Sequence, residues 1–327
     1  MRFITPPVYS MQYSTDNSMA SKTASCLVRN FILVRGIPTC LVKAGEVEEK
    51  EKSRTSAQTL FLIIPGNPGV VDFYDKFQTE LFSLSEGAVP VWGVSHAGHM
   101  ELPKDMKSDE GDLYDLEDQI NHKIAFIEDH VPENTQLILI GHSIGCYIIL
   151  EIMRRKPKLQ IQKGLLLFPT IERMASTPNG IFAKPLALYF RWVAFLFCSL
   201  AYYLPTSVKQ YLLGLHLSGK NMNPTAPASA VTLFNPHCLN NLIYMGGLEM
   251  LQVTEPDVLT IEKNLERLMF YYGRTDKWCP IEFYEDMKNK FPEGNILLDS
   301  KGMNHAFCLK SSCEMAEVIW NWMKKEV

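Results

Sequence analysis

Short, unbroken apolar runs alternate along the chain with segments whose apolar residues recur every three or four positions. The first pair of runs, residues 25–34 and 38–42, flanks Arg35-Gly36-Ile37 and reads as a β-hairpin. A charged stretch follows at 46–52, with four Glu and two Lys in seven residues, and reads as a solvated connection. Residues 60–64 then form a short buried strand that ends in the turn sequence Pro65-Gly66-Asn67-Pro68-Gly69. Phe73, Phe77, Leu81 and Phe82 predict a helix over 73–85, and Leu116, Ile120, Ile124 and Ile127 predict another over 113–131. Further strands are expected at 89–94, 137–140 and 164–168, with a helix over 144–155 that stops before Pro157.

After Pro169 this rhythm breaks for roughly a hundred residues and then resumes. Strands at 268–272 and 296–298 and helices at 281–290 and 312–323 complete the pattern. Short apolar strands separated by helices argue for an α/β fold, a mostly parallel sheet with helices on both faces. The interruption, about 170–262, reads as an inserted hydrophobic helical cap, so that 24–327 form one domain. Residues 1–23 include Pro6-Pro7, turn Ser/Thr-rich and lack an apolar signal core; they read as a disordered extension.

Within the interruption lies the run LALYFRWVAFLFCSLAYYL, residues 186–204, nineteen positions with Arg191 as the only charge. A membrane-spanning helix needs about 20 predominantly apolar residues. Bordered by Pro185 and Pro205, the run reads as a monotopic insertion into a lipid surface. The residues expected to touch lipid are Leu186, Phe190, Trp192, Phe195, Phe197 and Leu204. The alternative is a buried cap helix lining an acyl pocket. A full crossing is disfavoured, because it would set the halves of one α/β domain on opposite sides of a bilayer.

Composition narrows the function further. Lys+Arg number 32 against 36 Asp+Glu, a formal net charge of −4, and no basic run marks nucleic acid or a polybasic anchor. At 46% hydrophobic and 21% charged, the chain as a whole has the balance of a soluble globular protein. The eight cysteines are dispersed, several of them inside apolar runs, and read as free thiols in a reducing compartment. No CxxC pair or Cys/His ligand spacing points to a metal, and no cofactor is expected.

The chemistry centres on Gly141-His142-Ser143-Ile144-Gly145, which follows the strand at 137–140 and opens the helix at 144. Small neighbours let the backbone make a sharp strand-to-helix turn that lifts a serine hydroxyl above the sheet. A nucleophilic serine needs a base, and the base an orienting acid, in the order Ser, Asp/Glu, His along this type of chain. Of the histidines beyond Ser143, His216 and His237 lie in the expected cap, which leaves His305, between the last strand and the last helix. Asp276 stands just after the strand at 268–272 and is the expected acid, with Asp299 as its competitor. The oxyanion donors expected are the backbone N–H groups of Ile144 and Asn67, since Pro68 has none to offer. His96 and His99, after the strand at 89–94, are expected to rim the pocket or pack beside it.

Taken together, these motifs resemble the lipid droplet-associated hydrolase family of the α/β-hydrolase superfamily. The resemblance runs from about residue 25 onward and rests on five stretches. They are FLIIPGNPG at 61–69, SHAGH at 95–99, LIGHSIG at 139–145, LFPTIERM at 167–174, and FYYG at 270–273 with Asp276. It implies an α/β-hydrolase fold and a serine esterase acting on lipid acyl esters, with sterol esters proposed, at lipid droplets and the cytosolic face of the endoplasmic reticulum. Carried over residue by residue, it implies the triad Ser143, Asp276 and His305, the same three residues reached above. Its partners would be a lipid substrate and the droplet monolayer or endoplasmic reticulum membrane. A different class of function, a non-catalytic droplet-surface protein that regulates storage or tethers droplets, stays open, as does a peptidase or thioesterase on the same triad.

Overall fold

Strands buried on both faces need near-continuous apolar sequence, and the unalternating runs form the centre of the sheet. The computed structural model describes residues 9–10, 27–47, 58–103, 106, 112–217 and 226–324. Its strands are β1 (Tyr9–Ser10), β2 (Leu27–Val34), β3 (Ile37–Ala44), β4 (Gln58–Ile64), β5 (Val91–Val94), β6 (Thr135–His142), β7 (Ile161–Leu167), β8 (Leu268–Tyr272) and β9 (Asn295–Leu298). They join in the order β1-β2-β3-β5-β4-β6-β7-β8-β9. From β5 to β9 every neighbouring pair is parallel, whereas β1, β2 and β3 are added antiparallel at one edge. The β2–β3 hairpin closes through Arg35 and Gly36, both at positive φ, the two-residue turn that matches strand twist. Of the expected N-terminal extension only Tyr9–Ser10 is described, paired with β2; the rest, and the charged connection beyond Val47, lie outside the described residues.

The helices are α1 (Asp75–Leu84), α2 (Leu116–His130) and α3 (Ile144–Arg155), followed between β7 and β8 by α4 (Pro178–Tyr189), α5 (Arg191–Tyr202), α6 (Thr206–Leu217), α7 (Ala226–Ala230), α8 (Pro236–Gln252) and α9 (Val258–Lys263). The chain ends with α10 (Ile281–Lys290), α11 (Phe307–Lys310) and α12 (Ser312–Met323). Successive residues of β4 point to opposite faces of the sheet. Leu60, Leu62 and Ile64 join a core with α2, α3 and α10, while Phe61 and Ile63 join a second core with α1 and α12. The mostly parallel sheet with helices on both faces is therefore present as expected.

The run at 186–204 is not one helix. It is divided at Phe190 between α4 and α5, whose axes differ by 77°. Arg191, the only charge in the run, lies over the Tyr244 ring of α8 at 5.1 Å, so the chain turns where its cation finds an aromatic partner. Among the described residues no single helix is long and apolar enough to cross a membrane. The six residues expected to touch lipid are all exposed, from 39% at Leu204 to 74% at Phe197, and Phe182 and Tyr189 extend the same apolar surface. The seven described cysteines are unpaired.

Asn241 on α8 ties this helical segment to the loop before α2. Its side chain accepts from Tyr114 N–H at 2.9 Å and donates to Asp112 O at 3.0 Å, fully buried. Replacing Asn241 by Leu removes both bonds, and each lost hydrogen bond costs about 0.5–1.5 kcal/mol. Urea denaturation of Asn241→Leu should therefore show a loss of about 2 kcal/mol; an unchanged midpoint would remove this tie from the account.

Candidate active site

Ser143 is the single residue between β6 and α3, and its backbone takes φ 53° and ψ −123°. A non-glycine residue at positive φ is strained and persists only where its surroundings demand it. The neighbouring glycines supply that demand. A Cβ at Gly145 would collide with the Ile64 carbonyl oxygen at the end of β4, and one at Gly141 would lie 2.8 Å from Cys146 N. A Cβ at Gly66 would lie 2.8 Å from the Ser143 Cβ itself. The start of α3, the end of β4 and the serine thus meet with no room for a side chain between them.

The three residues expected as a triad are brought together. His305 Nε2 stands 3.0 Å from Ser143 Oγ, and His305 Nδ1 stands 2.6 Å from Asp276 Oδ2. A carboxylate accepts, so the Nδ1–H donates to Asp276, which leaves Nε2 as the acceptor facing the serine hydroxyl. The other Asp276 oxygen accepts the Trp278 and Cys279 N–H groups at 2.7 and 3.2 Å, so the carboxylate is held from both sides. Asp299, the competitor, does not touch His305. It accepts from Tyr271 Oη and from the Lys301 and Met303 N–H groups, and so shapes the loop that carries the histidine.

Both expected oxyanion donors lie near Ser143. Ile144 opens α3, where the first N–H groups have no partner within the helix. In the turn at 65–69, Gly69 N–H donates to Gly66 O and Gly66 N–H to Tyr74 Oη, and neither bond uses the Asn67 N–H. Asn67 and Ser143 line one cavity.

Matches to known proteins accord with this geometry. The family model for lipid-droplet associated hydrolase matches residues 57–308. Lipid droplet-associated hydrolases of Gallus gallus and Homo sapiens are 40% and 42% identical to the chain; the matches span 92% and 91% of it and 96% and 95% of the relatives. The chain belongs to the lipid droplet-associated hydrolase family. Those relatives are named hydrolases. An epoxide hydrolase from Vigna radiata superposes with a TM-score of 0.62 at 14% identity, over 92% of this chain and 99% of that one, which shows the α/β-hydrolase fold.

Within the family framework, one functional feature was not legible in the sequence. His142, between Gly141 and Ser143, donates from Nε2–H to the His305 carbonyl oxygen at 2.8 Å. Its Nδ1 then accepts the Tyr74 hydroxyl at 2.6 Å, and Tyr74 Oη accepts Gly66 N–H at 3.0 Å. Burial, together with the neighbouring His305, pushes His142 down to about 3 and keeps it neutral, as this chain of bonds requires. The turn at 65–69, the serine elbow and the histidine loop are thereby joined through one imidazole. Tyr74 begins the segment as an ordinary aromatic position, and nothing in its spacing singles it out.

Of the two expectations for His96 and His99, that they rim the pocket or pack beside it, the structure corrects the first and shows the second. Both are buried behind the turn at 65–69, where Gly69 packs against them: a Cβ there would meet the His96 ring at 2.6 Å. His99 Nδ1 donates to Pro68 O at 2.6 Å, and burial lowers His99 to about 4. They support the turn rather than line the cavity, because the sheet edge carries them inward.

Two cavities meet at this point, of about 280 and 470 Å³, and both reach Asn67, Pro68, Trp278 and His305. The smaller opens under α4 and α8; the larger extends past Tyr74 towards α6. Asp276, Cys279 and His305 also present ligand atoms within 4.8 Å of one another. The first and last already bond each other, and burial holds the Cys279 thiol well above its ordinary pKa, which disfavours the thiolate a metal needs.

Tyr74→Phe removes the hydrogen-bond partner of both Gly66 N–H and His142 Nδ1. A stability loss of about 1–3 kcal/mol by chemical denaturation is the expected outcome; a neutral substitution would mean that the imidazole does not join the three loops.

Proposed function

We propose that the protein is a serine carboxylic-ester hydrolase acting on lipid acyl esters, such as sterol esters or other neutral lipids, at the surface of the lipid droplet or endoplasmic reticulum. The observation that carries this reading is His305 bridging Asp276 and Ser143 at 2.6 and 3.0 Å, at the junction of two apolar cavities. Ser143 Oγ attacks the ester carbonyl while His305 Nε2 takes its proton. The Asn67 and Ile144 N–H groups stabilise the oxyanion, a duty worth about 10²–10³-fold in rate per donor. His305 returns the proton to the departing alcohol, and water then releases the acyl group by the same steps. Asp276 keeps the imidazole in the tautomer this requires.

Two apolar cavities that share His305, one of them lined by Ser143, suit an ester with bulky apolar groups on both sides of the carbonyl. The exposed aromatic surface of α4 and α5 lies beside the cavity that Leu186 and Ala187 line, so lipid contact and substrate entry share one face. This same surface also favours a second reading, in which droplet attachment rather than catalysis is the main role.

Fluorophosphonate should label the wild type and leave Ser143→Ala unlabelled, and Asp276→Asn should lower kcat by about 10⁴-fold; equal labelling of both proteins would sink the nucleophile assignment. In cells depleted of the protein, droplet lipid that responds to Ser143→Ala as fully as to wild type would favour the attachment role. For the surface, the double change Trp192→Asp and Phe197→Asp should weaken flotation with phospholipid-coated artificial droplets by about tenfold or more. Undiminished flotation would place the contact elsewhere.

A further inference from the structure

The smaller cavity has an apolar wall with one acidic exception. Glu249 of α8 is 4% exposed and lines that cavity together with Ser143, Met174, Leu186 and Met250. One of its carboxyl oxygens accepts Asn67 Nδ2–H at 3.1 Å, and the other has no protein partner among the described residues. No cation faces it. Burial raises Glu249 to about 7, with only the Asn67 hydrogen bond acting in the opposite direction. A carboxyl group withdrawn from water without an ion pair is costly, and buried polar atoms are as a rule satisfied.

Holding Asn67 in place does not account for a carboxylate here. The Asn67 amide already donates to Leu242 O at 2.8 Å, the shorter of its two bonds, and a neutral acceptor would serve the second equally well. The Asn67 backbone belongs to the turn proposed to bind the oxyanion, and its side chain fixes the Glu249 carboxyl beside that turn. A polar group of a bound ester, close to its carbonyl, would therefore meet the free oxygen. In otherwise apolar pockets such isolated polar groups set orientation and selectivity.

Resting on the esterase reading, we propose that Glu249 is a substrate-binding residue that accepts a hydroxyl group, so that the preferred substrates are esters carrying a free hydroxyl near the ester bond. Partial acylglycerols have this chemistry; fully esterified neutral lipids lack it. A hydroxyl both donates and accepts, so it pairs with the carboxyl group in either protonation state. An ammonium group, which can only donate, would be held only by the ionised form.

The test compares monooleoylglycerol, propyl oleate and oleoylcholine in the same detergent micelles, with wild type, Glu249→Leu, Glu249→Gln and Ser143→Ala. Wild type should favour monooleoylglycerol over propyl oleate by about tenfold or more in kcat/KM, since a site that bonds a hydroxyl discriminates against its absence. Glu249→Leu should bring that ratio close to one. Glu249→Gln, which retains an acceptor for Asn67, should fall between, because a neutral hydrogen bond is weaker than a charge-assisted one. No wild-type preference, a ratio unchanged in both variants, an equal fall on both substrates, or a preference for oleoylcholine would each overturn the proposal. Turnover that persists in Ser143→Ala overturns the esterase reading and this proposal with it. Equal ratios in an enzyme that needs Ser143 overturn this proposal alone.

Discussion

A strand can pass into a helix through one residue only if that residue reverses the chain, and Ser143 does so at a φ of 53°. The strain is local, but its cause is not. The first turn of α3 presses against the carbonyl end of β4, and Gly145 leaves no space between them. That approach places the Ile144 N–H, the Ser143 hydroxyl and the turn after β4 at one point. The β4–β6 pairing holds it there, running in parallel register from Gln58 and Thr135 up to Ile64 and Gly141. The core on both faces of these two strands is thus the support of the site.

Around that elbow the loops are held by hydrogen bonds in places where water cannot substitute. Asp276 is bonded on both oxygens, Asp299 on both, and His142 on both ring nitrogens. Such networks are costly when incomplete, which makes the loop geometry close to all-or-none. Two buried carboxyl groups therefore have different consequences. Asp299 is fully bonded and structural, whereas Glu249 keeps one oxygen free in the wall of a cavity.

The helices between β7 and β8 are apolar on two sides for separate reasons. Inward, Ala183, Leu186 and Ala187 of α4 close the smaller cavity; outward, Phe182, Trp192 and Phe197 stand exposed. An apolar outer surface of this kind marks an interaction face. With Arg191 over Tyr244 and Asn241 bonded to the loop before α2, this face keeps a set position relative to the serine. Substrate drawn from a lipid surface would enter beside the elbow rather than across bulk water.

Local sequence was enough for the elements whose pattern is their own cause. Buried strands such as Leu268–Tyr272 need unbroken apolar runs, and Gly141-His142-Ser143-Ile144-Gly145 can make its turn only with small flanking residues, so both were readable along the chain. Chain order also pointed to His305 and Asp276 as neighbours of Ser143, because a parallel sheet sets its loops at one edge, with Asp299 disfavoured by lying only six residues before His305. The 77° bend at Phe190 was not readable, and Arg191 beside it meets its aromatic partner, Tyr244, only on another helix. Nor were the burial of His96 and His99, the bonds through Tyr74 and His142, or the isolation of Glu249. These depend on which distant segments come into contact. Periodicity and motif record what a residue asks of its neighbours in sequence, while hydrogen-bond partners and desolvation arise only when the tertiary structure brings the segments together.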